Sequence, residues 1–517
     1  MMSGPQSVTD LISPLDAHNQ FLIDQVSPQN WTNPIPPKSY DLVVIGAGPA
    51  GLVVAAGAAG LGIGLKIALI EKHLMGGDCL NFGCVPSKTF IRAARVIGEL
   101  RKSKKLGIQI PEDAIAIDFA AVMERVRQVR AAMSIHDSAE RFKDLGVDVF
   151  FGQAQFSDCQ TVQVGDSALS FRKAVIATGA HAKHPAISGL QSVGFLTNET
   201  VFSLTDCPRR LAVIGGGPIG CELAQAFQRL GSRVTLFHRG PQLLNKEDPE
   251  VAKAIQQQLT VEGVRLILAA QIDRVEKDGQ EKIIYYCQNG QDSCVQVDEI
   301  LVGTGRSPNV QGLNLEAAGV DYEVNRGVFV NDYLQTSNPK IYAAGDICLD
   351  WKFTHTADAA ARIVLKNALF SPLGLGRSKV SNLIILRVTF TDPEVAHVGL
   401  SVRSAQQQGI AIATITIPFS QVDRAIVDGE TEGFIKIHHQ PNSDRILGAT
   451  IVAPHAGEII SEISTAIAHG LGLSALSGVI HPYPTQAESI KKAADTYRRT
   501  LLTPTTKRLL RFLQWFS

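Results

Sequence analysis

The sequence predicts an α/β protein made of two doubly wound units followed by an α+β unit. Three observations carry this. DLVVIGAGPAGLVVAAG, from Asp41, reads as strand, glycine turn and helix. LAVIGGGPIGCELAQAF (Leu211 to Phe227) repeats that grammar about 170 residues later, and SRVTLFHR supplies its next strand, as IALIE (Ile67 to Glu71) does for the first. From about Ser381 the segments NLIILRVTF, IAIATITIPF, GFIKIHHQ and RILGATIVA alternate like antiparallel strands, and the helical HAGEIISEISTAIAHG follows them.

Composition sets outer limits. A chain of 517 residues holds two to four domains. Lys+Arg and Asp+Glu are 49 each, so there is no global field with which to hold nucleic acid. Among eight cysteines only Cys79 and Cys84 form a tight pair, which argues against a secreted disulfide framework. The N-terminus lacks a basic start with an apolar run, so no signal peptide is expected and the expected location is cytoplasmic. Leu42 to Leu65 is 24 residues without a charge, long enough to span a membrane, but seven are glycine and Pro49 interrupts them. A buried strand, turn and helix accounts for each glycine better.

Gly46, Gly48 and Gly51 form G-x-G-x-x-G after a strand, with Pro49 and Ala50 opening the helix. The first glycine permits the tight turn, the second lets backbone approach a pyrophosphate, and the third lets helix and strand pack closely. The helix N-terminus then offers free N–H groups to the phosphates. Glu71, followed by Lys72, lies 20 residues past Gly51, where an acid accepts hydrogen bonds from a ribose. Gly215, Gly217 and Gly220, with Pro218 and Ile219, repeat the pattern, which implies two Rossmann-like dinucleotide-binding domains. There the acid position holds His238 with Arg239 after it. Arginine suits the 2′-phosphate of NADP, so NADPH is expected over NADH.

GGDCLNFGCVPSK (Gly76 to Lys88) raises a separate question. On a regular helix Cys79 and Cys84 would stand about 7.5 Å apart in rise. A disulfide needs Cα atoms within about 7 Å, so closure requires a local distortion. Gly83 supplies backbone freedom for one, and Pro86 suits a helix start. A structural zinc site needs four ligands and this pair offers two. A working disulfide and a pair of free buried thiols both remain open at this point.

The same segment resembles the redox-active segment of the FAD-dependent pyridine nucleotide–disulfide oxidoreductases. ATGA (Ala177 to Ala180), GTGRSPN (Gly303 to Asn309), YAAGDIC (Tyr342 to Cys348) and FTDPEVAHVG (Phe390 to Gly399) extend the resemblance over roughly 39–500. It implies an N-terminal extension and linker (1–38) and an FAD-binding domain in two pieces (39–198 and 331–383). An NAD(P)H-binding domain (199–330), a dimerisation domain (384–500) and a basic amphipathic tail (501–517) complete the division. It implies a Cys79–Cys84 redox disulfide, with Cys84 against the flavin and Cys79 meeting substrate. Lys88 and Glu222 would be the ion pair beside the flavin, and Asp346 would hold the ribityl chain. Gly77, Asp78, Ala154, Thr178, Gly179 and Gly345 would join the FAD set, and Glu222 and Gly305 the NADPH set. A homodimer would share its active sites.

One departure bears on substrate. HPYPTQAE (His481 to Glu488) is similar to the family's H-P-T…E motif, whose histidine is the acid–base group, but alignment on Pro484, Thr485 and Glu488 puts Tyr483 in its place. Histidine, with a pKa around 6.5, protonates a departing thiolate well; tyrosine, at around 10, does so poorly. Mercuric reductases resemble this chain in carrying tyrosine there, and QVDRAIVDGETEGFIKI (Gln421 to Ile437) also resembles that branch. The expected acceptor is therefore Hg(II) or a related thiol-bound metal ion, held transiently by Cys79 and Cys84. Against this, the chain ends RFLQWFS and its last cysteine is Cys348, whereas mercuric reductases carry a terminal cysteine pair. Two other expectations stand beside it: a reductase of an unidentified disulfide in which His481 or water supplies the proton, and a flavin-bound redox sensor without turnover.

After Asp495 there are no acids and five basic residues: Arg498, Arg499, Lys507, Arg508 and Arg511. On a helix Leu509, Phe512, Leu513 and Phe516 share a face opposite Lys507, Arg508 and Arg511, the pattern of an interfacial helix. Peripheral membrane contact and packing on a dimer partner are the two expectations for this tail.

Overall fold

A computed structural model describes residues 11–111 and 114–515. The two β-branched runs at the start become parallel neighbours, β1 (Tyr40–Ile45) and β2 (Ile67–Glu71), with Leu42 beside Ile67 and Ile45 beside Ile70. With β3 (Val147–Phe151), β4 (Ala154–Asp158), β5 (Thr161–Val164) and β6 (Ser167–Ile176) they form a sheet in the order β3-β2-β1-β6-β5-β4. β6 is split in use: its start pairs antiparallel with β5, and its end pairs with β1.

The second unit repeats the parallel half. Its strands are β7 (Arg210–Ile214), β8 (Arg233–Phe237), β9 (Arg265–Ile267) and β10 (Glu299–Val302), ordered β9-β8-β7-β10 and all parallel. Between β9 and β10 the sequence reading identified no strands, yet Ala270–Asp278, Glu281–Gln288 and Gln291–Val297 form an antiparallel meander. Asn289-Gly290, both at positive φ, makes its second turn; this dipeptide was the available signal. The chain then returns to the first sheet through β11 (Ile341–Ala343), parallel to the end of β6.

The C-terminal unit is an antiparallel sheet of β12 (Leu386–Thr389), β13 (Glu394–Gly399), β14 (Ala413–Pro418), β15 (Phe434–His439) and β16 (Ile446–Ala453). Its order is β12-β13-β16-β15-β14.

Residues 11–38 depart from the expected extension and linker. Helix α1 (Ala17–Val26), capped by Asp16, buries Leu22, Ile23 and Val26 with Ile12 in the first domain's core. Trp31 Nε1 donates to Val149 O, and Asn33 bonds both N and O of Phe151. The uncharged 42–65 passage becomes β1 and α2 (Pro49–Ala59), and no helix among the described residues is long and apolar enough to cross a membrane. The working helices follow in chain order: α3 (Gly77–Asn81), α4 (Cys84–Lys102), α5 (Phe119–Ser134), α6 (Pro218–Arg229) and α7 (Thr354–Leu369). Helices α8 (Ala456–Ala468) and α9 (Glu488–Thr500) cover the C-terminal sheet, and α10 (Pro504–Gln514) lies exposed beyond them. Phe516, counted on the apolar face of the tail, lies outside the described residues.

A buried arginine ties the three units together. Arg229 of α6 bonds Glu262 and Asp392, and its guanidinium lies against α4 so closely that a Cβ on Gly98 would sit 2.6 Å from it. Arg387 to Glu247 and Arg95 to Glu394 add further ion pairs across the same seams. Each is largely removed from water, so loss of one partner would leave an uncompensated charge.

Candidate active site

The two glycine loops superimpose in chemistry, residue for residue. A Cβ on Gly51 would meet Gly46 O at 1.8 Å, and one on Gly220 would meet Gly215 O at 1.8 Å. Gly46 and Gly215 have φ of 102° and 122°, in the region that favours glycine. Ala47 N donates to Glu71 Oε2 at 2.8 Å; at the equivalent place Gly216 N donates to His238 Nδ1 at 3.1 Å. Glu71 also accepts from His73 N, and burial raises its pKa. Burial lowers that of His238, whose Nε2 is buried without a partner among the described residues. Lys72 and Arg239 are both exposed just past these strand ends.

The loops fit dinucleotides. Gly48 and Gly217 end in helices begun by Pro49 and Pro218 with no side-chain cap, so the first N–H groups are free for phosphate. A Cβ on Gly217, Gly179 or Gly305 would meet nothing within 4 Å, which leaves open cradles beside the backbone. Ala50 lies under Gly345, whose Cβ would come 3.3 Å from it, and Ile219 is exposed on the second helix. Thr178 and Asn309 lock ATGA to GTGRSPN: Thr178 Oγ1 donates to Asn309 O, and Asn309 Nδ2 to Thr178 O. Ala154, buried at the start of β4, offers only backbone.

The cysteines lie where one helix breaks and another starts. Cys79 is on α3, and Cys84 opens the 19-residue α4. Gly83 makes the break: a Cβ there would fall 2.7 Å from Asp78 Oδ2 and 2.9 Å from Asp78 O. This is the distortion that the spacing demanded. Both residues are free thiols, and Cys84 Sγ lies 3.3 Å from Thr354 Oγ1. The hydrogen bond from Cys79, then those from Thr354 and the charge of Lys88, bring Cys84 down to about 6 against the cost of burial. The same bond to Cys84, with burial, drives Cys79 upward. The surroundings thus favour the negative charge on Cys84 and the proton on Cys79.

Around them the structure assembles a charged frame. Lys88 Nζ meets Glu222 Oε2 at 2.9 Å and lies 4.6 Å over the Phe390 ring, whose backbone N donates to Glu222 Oε1. Burial opposes the Lys88 charge, but Glu222 outweighs it and raises the pKa. Asp346 is raised by burial, and Arg306 reaches towards it at 3.5 Å while donating to Asp78 Oδ2 and Ala180 O. Asn198 bonds the other Asp78 oxygen. Arg306 Nε, the atom that faces Asp346, is buried and makes no hydrogen bond among the described residues. The sequence reading missed Arg306, Asn198, Thr354 and Phe390, although Arg306 and Phe390 lie inside motifs it quoted.

The 481–488 residues lie apart from this frame. Tyr483 is 72 % exposed and hydrogen-bonds Asp423, whose carboxylate raises its pKa. His481 is held by Glu462 Oε1 at 2.9 Å and by Val479 O. Glu488 Oε1 is 4.0 Å from Lys492, and its Oε2 is buried without a partner among the described residues. None of the hydrogen bonds or ion pairs described for these three reaches either thiol.

A model of the pyridine nucleotide-disulphide oxidoreductases matches residues 40–361, and a model of their dimerisation domain matches 385–494. The chain is 37% identical over 479 residues to a mercuric reductase of Lysinibacillus sphaericus, covering 93% of this chain and 86% of that one. It is 35% identical to a dihydrolipoyl dehydrogenase of Chlamydia muridarum, covering 87% and 95%. Among solved structures it is similar to the Cu(II) complex of the HOCl-induced flavoprotein disulfide reductase RclA from Escherichia coli, with TM-score 0.77, 27% identity and coverage of 89% and 100%.

Proposed function

We propose, from the premise that this chain belongs to the pyridine nucleotide–disulphide oxidoreductase family, that it is a mercuric reductase-like enzyme acting on Hg(II) or a related thiol-bound metal ion. Members of this family bind FAD and use NAD(P)H, and bound flavin relays two electrons from reduced nicotinamide to the thiol pair. The first glycine loop, Asp346 and Arg306 would hold FAD; the second, with Arg239 beside it, would hold NADPH.

Tyr483 is the observation that carries the choice of acceptor. Its hydroxyl is tied to Asp423 and its pKa is raised, so it is a poor acid or base near neutrality. Reduction of Hg(II) to Hg(0) consumes two electrons and breaks no S–S bond; the small thiolates on the ion leave to solvent as Cys79 and Cys84 replace them, so that Hg(SR)2 and NADPH yield Hg(0), NADP⁺, one proton and two thiolates. Cys84 already presents a thiolate, and a soft ion displaces the proton of Cys79 to gain a second sulfur ligand. Lys88 would stabilise the Cys84 thiolate, and Glu222 would hold Lys88 in place from the second domain.

A second reading, reduction of an unidentified organic disulfide, draws on Glu488. Its buried, unpartnered Oε2 retains the carboxylate of the acid–base motif, and dihydrolipoyl dehydrogenase relatives match nearly as well. The dimerisation domain supports a homodimer in either case.

Steady-state NADPH oxidation separates the two. Hg(II) buffered with excess small thiol is offered beside oxidised glutathione and lipoamide, with Cys79→Ala as control. Mercury-dependent turnover that requires Cys79 is expected. Turnover with a disulfide alone would overturn the reading in favour of the second.

A further inference from the structure

The segment before the first strand reaches the redox loop through a continuous chain of buried polar contacts. Met75 N, just ahead of the cysteine segment, donates to Val26 O at the end of α1. Arg130 of α5 donates through Nη2 to Asn19 Oδ1 at 2.6 Å and through Nη1 to Asn81 O at 2.8 Å. Asn81 ends α3, the turn that carries Cys79, and its own Nδ2 donates to Met75 O and Gly77 O. Arg127, one turn away on α5, pairs with Asp16, the cap of α1.

The energetics single out Arg130. It is 3 % exposed, burial lowers its pKa to about 10, and no carboxylate lies in ion-pair range of it among the described residues. A buried guanidinium with neutral partners is costly, and a packed apolar residue would be the cheaper filler. What the cation gains is two specific acceptors: the helix-terminal carbonyl of Asn81, which has no intrahelical partner, and the Asn19 amide. Asn19 and Asn81 are themselves fully buried, so neither can replace Arg130 with water.

We propose that residues 11–27 form a strap that positions the Cys79–Cys84 pair, with Asn19 and Arg130 as its positioning residues. The strap fixes the α3 turn, and that turn fixes where Cys79 stands relative to Cys84. The inference rests on these two cysteines being the reacting pair and is independent of the acceptor.

The test uses the full flavin-containing protein, reduced, with the pH midpoint of Cys84 alkylation by iodoacetamide read by peptide mass. The variants are Asn19→Ala, Arg130→Met, Arg130→Lys and, as a packing control, Ile23→Ala. Lys88, Asp78 and Thr354, which also face Cys84, are unchanged in all four. Arg130→Met is expected to move the midpoint up by about one unit towards that of an ordinary thiol. Asn19→Ala should move it less in the same direction, and Arg130→Lys less than Arg130→Met. Ile23→Ala should lower the melting temperature and leave the midpoint in place. Unmoved midpoints in folded Asn19→Ala and Arg130→Met overturn the proposal, as does an equal shift in Ile23→Ala. Should Arg130→Met fail to retain flavin, Asn19→Ala decides alone. A shifted midpoint in a protein that reduces no metal ion would leave the strap standing and remove only the acceptor assignment.

Discussion

In the first glycine loop Gly77 is wedged over Gly48, so that a Cβ on Gly77 would lie 2.6 Å from the Gly48 Cα; in the second, a Cβ on Gly217 would meet nothing within 4 Å. Both loops are pinned by a later segment, through Gly76 N to Ala47 O and Leu244 N to Gly216 O. In the first, that pinning segment is the start of the cysteine turn; in the second it is an ordinary loop. One backbone device thus serves two tasks. The first loop is roofed by the cysteine segment, as suits a group that stays. The second is left open, as suits one that exchanges at every turnover.

The comparison is broken most easily at the third glycine. Gly51→Ala and Gly220→Ala impose the same 1.8 Å clash. Gly51→Ala is expected to abolish flavin retention, and Gly220→Ala to keep the yellow protein while losing NADPH-driven reduction. Flavin absorbance and anaerobic reduction read the two; matching losses in both variants would mean that the loops are not specialised. A milder probe is Gly217→Ala, which meets no protein atom and should leave the melting temperature alone while raising KM for NADPH about tenfold or more, since it crowds the pyrophosphate. Arg239→Glu should likewise cost NADPH about tenfold in kcat/KM and leave NADH nearly unchanged, the value of one charge-assisted contact; equal loss with both nucleotides would remove Arg239 from recognition.

Lys88 and Glu222 join the helix after the cysteine turn to the helix after the second loop, so they test whether the regions act together. The Cys84 thiolate persists above a pKa of about 6 and is lost below it. Lys88→Met removes one stabilising charge, so the pH midpoint of Cys84 alkylation should rise by a fraction of a unit to about one unit. An unchanged midpoint would assign the lowering wholly to Cys79, Thr354 and the helix N-terminus. The smallest effect is expected furthest from either loop. Truncation after Thr506 removes most of α10, and weak binding to anionic vesicles should disappear without change in NADPH kinetics; retained binding would leave the tail to the dimer partner.

The loops were legible because Gly46, Gly51, Gly215 and Gly220 answer steric demands that no other residue meets, and the pattern survives translation into a string. The Cys79–Cys84 break was legible for the same reason, through Gly83. The roles of Arg306, inside a quoted motif, and of Thr354 were not, because their partners Asp78 and Cys84 lie 228 and 270 residues away in the chain. The strap was hidden by its composition: Asp16 and Asn19 read as solvated chain, and only the burial of Asn19, Arg127 and Arg130 shows otherwise. The antiparallel meander at 270–297 was overlooked although Asn289-Gly290 announced a turn.

The return of the chain through β11 carries a consequence for biosynthesis. The first sheet has β6 as its last early strand, and its neighbour β11 and the helix α7, which packs so tightly on α2 that a Cβ on Gly57 would sit 2.8 Å from Leu365, come from residues 341–369. On the ribosome the inserted unit spanning 210–302 is complete while the first is still missing these parts. The second domain to be encoded is therefore able to fold first, and a nascent chain arrested between 302 and 341 would expose the apolar flank of β6 to chaperones and proteases.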